Sequence, residues 1–111
     1  MVWKVELYEK DIEKFLDSLS IKERIKVLRN IGLLERFGLN LRKPYVISLK
    51  IKGLKELRIV ISRKMIRLLF FYFKEKIIVI LHGFVKKTQK TPAKKIKIAL
   101  QRMQKYKHER R

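Results

Sequence analysis

The chain has 111 residues, of which 47% are apolar, so it is long enough for one domain around one modest core. It contains no cysteine, which excludes disulfides and thiolate metal sites. Thirty Lys and Arg residues against ten Asp and Glu give a formal net charge of +20, which favours a polyanionic partner.

The positive charge is concentrated in one part of the chain. Residues 1–40 carry eight basic and seven acidic side chains, a net +1, whereas residues 41–111 carry twenty-two basic and three acidic ones, a net +19. A lysine-rich surface that serves solubility or ion-pair networks is the alternative, but such networks need both signs of charge. The distribution therefore favours binding to nucleic acid or the ribosome.

The length and placement of the apolar segments indicate where the protein is located in the cell. The longest apolar runs, residues 68–73 and 77–81, are far shorter than the roughly 20 residues that span a bilayer. Four acidic residues between positions 6 and 13 occupy the place of the apolar stretch of a signal peptide. We expect a soluble, cytoplasmic protein without a membrane partner.

In the first forty residues the apolar pattern changes from a period of two to a helical period. Residues 2–8 alternate as a half-buried strand does, and a helix follows with an apolar stripe of Ile12, Phe15, Leu16 and Leu19. Ser20 and Glu23 form a capping box, which begins a second helix.

The second helix is predicted to end near Gly38, a residue that readily adopts a left-handed turn. We expect it to bury Ile25, Leu28, Ile31 and Leu34 or Phe37. Residues 39–53 contain a proline and a glycine and are interpreted as an irregular connection with at most a short helical turn.

Three strands and a helix are predicted in the rest of the chain. Residues 54–61 alternate, with Glu56 and Arg58 on one face, and residues 65–73 and 76–82 form a hairpin through Lys74-Glu75. Thr91 is expected to cap a final helix whose apolar stripe is Ile96, Ala99 or Leu100, Met103 and Tyr106. The order β-α-α-β-β-β-α predicts an α+β fold, one domain over 1–111 in which helices pack on a mainly antiparallel sheet.

The sequence argues against metal-dependent chemistry. After residue 40 the only acidic side chains are Glu56, Glu75 and Glu109, too few for a magnesium site, so we expect no metal and no cofactor. RNA can be cleaved without a metal because its own 2′-hydroxyl is a nucleophile. Basic side chains would then move the protons and stabilise the charge on phosphorus.

The candidate catalytic residues are cations on or beside the predicted strands: Arg58, Arg67, Lys86 and Lys87. Arg67 lies within an apolar run, where an arginine is costly unless it meets an anion. The alternative for both arginines is an ion pair with Glu56, and for the two lysines a solvated charge run. His82 is expected to be structural, whereas Tyr72 and Phe84 are candidates for base stacking.

Three stretches resemble one family closely. They are residues 54–58 (LKELR), residues 66–70 (IRLLF) and residues 81–92 (LHGFVKKTQKTP). They are similar to the phage-derived HigB-like branch of the RelE toxin superfamily, and the order of elements over the whole chain is similar too. The resemblance implies a ribosome-dependent messenger-RNA endonuclease, encoded beside a small helix-turn-helix antitoxin that forms a hetero-oligomer with it.

Carried over by position, the family's sheet arginines correspond to Arg58 and Arg67, and its cation after the last strand corresponds to Lys86 or Lys87. Residues expected to bind RNA are Lys50, Lys52, Lys55, Lys90 and Phe84. The chain departs from the family in offering lysines around the cleavage site and only Tyr106, late in its final helix, as a tyrosine.

Two other functions remain open. A small basic protein that coats RNA or ribosomes without cutting would also carry this charge. A toxin-like chain that has lost cleavage and only binds an antitoxin is the second alternative.

Overall fold

The computed structural model describes residues 2–86 and 90–110. It contains five strands and three α-helices in the order β1 (Lys4–Leu7), α1 (Lys10–Asp17), α2 (Ile21–Phe37), β2 (Val46–Ser48), β3 (Lys55–Ile61), β4 (Lys64–Tyr72), β5 (Ile77–Lys86) and α3 (Ala93–Glu109). A short 3₁₀ turn, Gly38–Asn40, follows α2. The predicted α+β class is confirmed.

One sheet holds all five strands in the order β1-β5-β4-β3-β2. The first strand runs parallel to β5, and the other neighbours are antiparallel. The predicted hairpin is confirmed, with Glu75 and Lys76 at positive φ in its turn. Strand β2 was not predicted, because three residues at a sheet edge are too few to display a period of two.

Apolar side chains pack on both faces of the sheet. On one face, Leu57, Ile59 and Leu68 pack with buried residues of α1 and α2. On the other, which we call the α3 face, Leu69 and Phe71 pack with α3. The predicted stripes of α1 and α3 are confirmed, since their buried residues include Ile12, Leu16, Ala99, Met103 and Tyr106. Across residues 2–86 and 90–110, no helix combines the length and apolarity needed to cross a bilayer.

The start and end of α2 follow the sequence. The Ser20 hydroxyl accepts a hydrogen bond from the Glu23 backbone N–H, and the Glu23 carboxylate accepts one from the Ser20 N–H. The helix ends at Phe37, and Gly38 then takes a φ of +51°. A Cβ at Gly38 would lie 2.0 Å from Nε1 of Trp3, so this position requires glycine for both conformation and space.

The predicted buried face of α2 was wrong in part. Val27 and Leu34 are buried, but Ile25 and Leu28 are 46% and 52% exposed, and Phe37 is exposed as well. The buried stripe instead includes the polar residues Glu23 and Asn30. The helix carries apolar residues on two opposite sides, and its own periodicity does not reveal which side meets the sheet.

Two glycines provide a matched test of the packing. A Cβ at Gly83 on β5 would lie 2.8 Å from side-chain atoms of both Leu68 and Phe15, whereas one at Gly32 on α2 would meet nothing within 4 Å. We expect Gly83→Ala to lower the free energy of unfolding by about 1–3 kcal/mol through overpacking. Gly32→Ala should raise it by roughly 0.5–1 kcal/mol through helix propensity. Urea unfolding measures both, and equal effects at the two positions would contradict the packing of α1 on β5.

Candidate functional site

A buried carboxylate, Glu56, is the centre of a polar cluster on the α3 face. Its side chain is fully buried, and its Oε1 accepts hydrogen bonds from Arg67 and, at 3.5 Å, from Nε of Arg58. Its Oε2 accepts a 2.5 Å hydrogen bond from the hydroxyl of Thr91. Nζ of Lys86 donates to the same hydroxyl at 3.4 Å. We call these five residues the Glu56 cluster.

Strand register brings the three cations of the cluster together. Arg58 on β3 lies directly opposite Arg67 on β4, and Lys86 on β5 lies opposite Met65, two residues before Arg67. Arg67 also contacts the Sδ atom of Met65. The sheet therefore places three of the four predicted catalytic residues side by side, and the fourth, Lys87, lies outside the described residues.

Thr91 was predicted to be the N-cap of α3, and that prediction was wrong. Pro92 occupies the N-cap position, and the Thr91 hydroxyl donates to Glu56 instead. A carboxylate is a stronger acceptor than a neutral group, so the buried Glu56 outcompetes the role that the sequence pattern favours. Thr91 thereby connects the segment before α3 to strand β3.

The three cations differ in their access to solvent. Arg67 is 1% exposed, and its Nε finds no hydrogen-bond partner among the described residues. The ion pair between Arg67 and Glu56, which the sequence left open as the alternative to a catalytic role, is present. The side chain of Arg58 is 34% exposed, so this guanidinium can reach a ligand in solvent while it still contacts Glu56.

Burial and charge shift the pKa values of the enclosed cations. Burial lowers the pKa of Lys86, and the nearby charge of Arg67 lowers it further, while Glu56 acts in the opposite direction. Burial also lowers the pKa of Arg67. Clustered cations and burial both lower the pKa of a lysine, and at Lys86 burial is the larger cause.

The residues predicted to bind RNA are dispersed. Lys50 and Lys52 lie exposed at positive φ in the turn between β2 and β3, and Lys90 is exposed just before Thr91. Lys55 lies on the opposite face of the sheet from Arg58, with Nζ 5.8 Å from the ring centre of Tyr72. Phe84 is 6% exposed, so its ring is not open to a base in this conformation.

The ring of Phe84 is covered by charged and aromatic neighbours. His82 stacks against it at 5.9 Å, and Nζ of Lys95 lies 5.6 Å from its centre. Burial lowers the pKa of His82 to about 4, with help from Lys95 and Arg102, so this imidazole is neutral near pH 7. Its Nε2 is buried and finds no hydrogen-bond partner among the described residues, so the structural role expected for His82 stays a prediction.

Other polar groups serve to attach the helices. The hydroxyl of Tyr106, the one tyrosine of the final helix, donates to Glu6 on β1 at 2.6 Å. Burial and this hydrogen bond raise the pKa of Tyr106 to about 12. Sequence reasoning missed the 2.5 Å ion pair between Arg102 and Asp11, which joins α3 to α1 across 91 residues of sequence.

Among the described residues, no three His, Asp or Glu side chains are grouped as a metal site would require.

Comparison with known proteins gives a family and a fold. Residues 14–104 match the model of the family described as phage-derived protein Gp49-like (DUF891). A chain in the crystal structure of the archaeal RelE–RelB complex from Pyrococcus horikoshii OT3 matches with a TM-score of 0.55 and 24% identity, over 82% of this chain and 100% of that one. This likeness shows the fold. No curated protein matches the chain. The family model confirms the predicted phage-derived family, and the structural match confirms the predicted RelE-like fold.

The contacts of Glu56 predict that its substitution strongly affects stability. Glu56→Gln keeps the shape of the side chain but leaves buried Arg67 without its counter-charge, so we expect the free energy of unfolding to fall by about 3–5 kcal/mol. The same change at exposed Glu75 should have an effect within about 0.5 kcal/mol. The double variant Glu56→Leu/Arg67→Leu should lose less than Glu56→Gln, because no unpaired charge remains buried. Equal urea midpoints for Glu56→Gln and Glu75→Gln would contradict this account.

Proposed function

The chain belongs to the phage-derived Gp49-like family, and from that membership we propose that it is the toxin of a toxin–antitoxin pair. In this proposal it is an endoribonuclease that cuts messenger RNA on the ribosome without a metal. Its partner is an antitoxin, a small helix-turn-helix protein, which binds it in a hetero-oligomer. The structural relative belongs to a RelE–RelB complex, which supports a protein partner of this kind.

The observation that carries the proposal is the charge of the Glu56 cluster. Three cations, Arg58, Arg67 and Lys86, surround one carboxylate on adjacent strands, which leaves an excess of positive charge. Rigid strands hold these groups in place, and burial reduces the screening of their charges by water. Such a site suits an anion that gains charge during a reaction, as a phosphate does when it is attacked.

The three cations of the cluster differ in exposure, which suggests distinct roles. Arg58, the more exposed arginine, would contact the phosphate. Arg67, held in place by Glu56, would add positive electrostatic potential from its buried position. Lys86, whose pKa is lowered, would accept or return a proton, a role that Lys87 could share. Lys50, Lys52 and Lys90 would bind the RNA backbone nearby.

The proposed reaction needs no co-reactant. The 2′-oxygen of one nucleotide loses its proton and bonds to the adjacent phosphorus, while the bond from phosphorus to the 5′-oxygen breaks. The departing 5′-oxygen takes up a proton. The products are a 2′,3′-cyclic phosphate and a 5′-hydroxyl.

A second candidate function is favoured by the ion pair between Arg67 and Glu56. This pair gives Arg67 a structural purpose, so a buried arginine no longer requires catalysis to explain it. A basic protein that binds RNA or ribosomes without cutting, or a cleavage-deficient antitoxin partner, would then retain the same cluster.

Cleavage products and variants distinguish these functions. We expect expression without the antitoxin to arrest growth, and primer extension on translated messages to detect new 5′ ends. Polynucleotide kinase should label those ends without prior phosphatase treatment, because they carry a hydroxyl. Arg58→Ala and Lys86→Met/Lys87→Met should each slow cleavage by about 10²-fold to 10³-fold. Ribosome affinity should fall only modestly, because each variant removes at most two cations among many that contact phosphates.

Lys105→Ala, at an exposed position of α3, is the matched control and should cleave like the wild type. Products with 5′-phosphates would show that water was the nucleophile and would contradict the mechanism. Normal growth with abundant folded protein, together with ribosome binding, would favour the non-enzymatic binder.

A further inference from the structure

The outward side of α2 carries an apolar row that the sheet does not cover. Ile21, Ile25 and Leu28 are 74%, 46% and 52% exposed, and Gly32 continues the row. These four positions lie on the side of the helix opposite Val27 and Leu34, the residues that it buries. We call Ile21, Ile25, Leu28 and Gly32 the α2 seam.

The seam has the spacing of a coiled coil. Its members are separated by four, three and four residues, which is the alternation that keeps one narrow apolar line facing a partner helix. A Cβ at Gly32 would meet nothing within 4 Å, so the space beside the seam is open along this part of the helix. Beside Gly32, a second helix could therefore lie along α2 without displacing any described side chain.

One border of the seam is a row of cations. Lys22, Arg29 and Arg36 recur every seven residues, and all three are exposed. Lys22 and Arg29 directly follow seam positions, whereas Arg36 follows Glu35, which lies beyond the seam. Arg24 lies on the other border, where its guanidinium donates to the backbone oxygens of Leu16 and Asp17. In coiled coils, the residues at such flanking positions pair with charges of the opposite sign on the partner.

We propose that the α2 seam is the docking site for one acidic amphipathic helix of a partner protein. Apolar residues of that helix at alternating three- and four-residue spacing would pack on Ile21, Ile25 and Leu28. Carboxylates beside them would face Lys22, Arg29 and Arg36. The seam lies on the opposite face of the sheet from the Glu56 cluster, so the inference goes beyond the proposed function and stands whether or not the chain cuts RNA.

Charge selects this occupant over a second copy of the chain. Self-pairing through the seam would place the cationic border against another cationic border, in chains that each carry a net charge of +20. The width of the seam selects a helix over a lipid surface. Interfacial helices present a broad apolar face, whereas this row is a single narrow line between charged borders.

Synthetic peptides test the inference on the intact chain. The probe is a three-heptad peptide of about 21 residues with Leu at the two core positions and Glu at the flanking positions. One control peptide carries Lys in place of Glu, and a second has the composition of the probe in scrambled order. Fluorescence anisotropy should show binding of the acidic heptad peptide only, and equal binding of the scrambled peptide would overturn the proposal.

Neutral substitutions in the seam separate packing from net charge. Ile25→Gln/Leu28→Gln should weaken binding of the acidic peptide at least about tenfold, because apolar contacts are lost. Val60→Gln is the matched control, since Val60 is 50% exposed on the α3 face. Circular dichroism confirms that the variants fold. Unchanged affinity in the double variant would overturn the proposal.

A charge reversal gives an independent readout. Lys22→Glu/Arg29→Glu/Arg36→Glu changes only exposed side chains and should exchange the preference, so that the Lys peptide binds and the Glu peptide does not. A persistent preference for the Glu peptide would overturn the proposal. The proposal would also be overturned if the chain formed dimers, or bound phosphatidylglycerol vesicles, and Ile25→Gln/Leu28→Gln abolished that association but left peptide binding unchanged.

Discussion

The carboxylate of Glu56 connects parts of the chain that are far apart in sequence. It lies on β3, pairs with Arg67 on β4, and accepts the hydroxyl of Thr91 just before α3. A buried carboxylate and a buried guanidinium are each costly alone, and together they offset most of that cost. Because Lys86 donates to the same Thr91 hydroxyl, the end of β5 is held at the same point. The position of the candidate site therefore depends on this one buried anion.

Much of the fold could be predicted because most elements have a clear period. The alternation of β3, the capping box of α2 and the apolar stripe of α3 all correspond to observed structure. Strand β2 could not be predicted because it has only three residues. The orientation of α2 could not be predicted either, because the helix has apolar residues on opposite sides and only contact with the sheet selects one of them.

The candidate site was predictable within strands but not between them. Alternation places Glu56 and Arg58 on one face and Lys55 on the other, and the structure agrees. Sequence gives no register between strands, so it left open whether Arg67 meets Arg58, and it assigned Thr91 to helix capping. The burial of Phe84 depends on the neighbours that α3 brings, which no local pattern reveals.

The titration of Lys86 tests most directly whether these cations share one buried site. Its Nζ can be followed by NMR in protein labelled at the lysine side chains. The account predicts a pKa below that of an ordinary lysine, about 10.4, because of burial and the charge of Arg67. Arg67→Met should raise that pKa, and Arg58→Met should raise it less, because Arg58 is the weaker influence. The account would be contradicted if Lys86 had the pKa of an ordinary lysine and neither substitution changed that pKa.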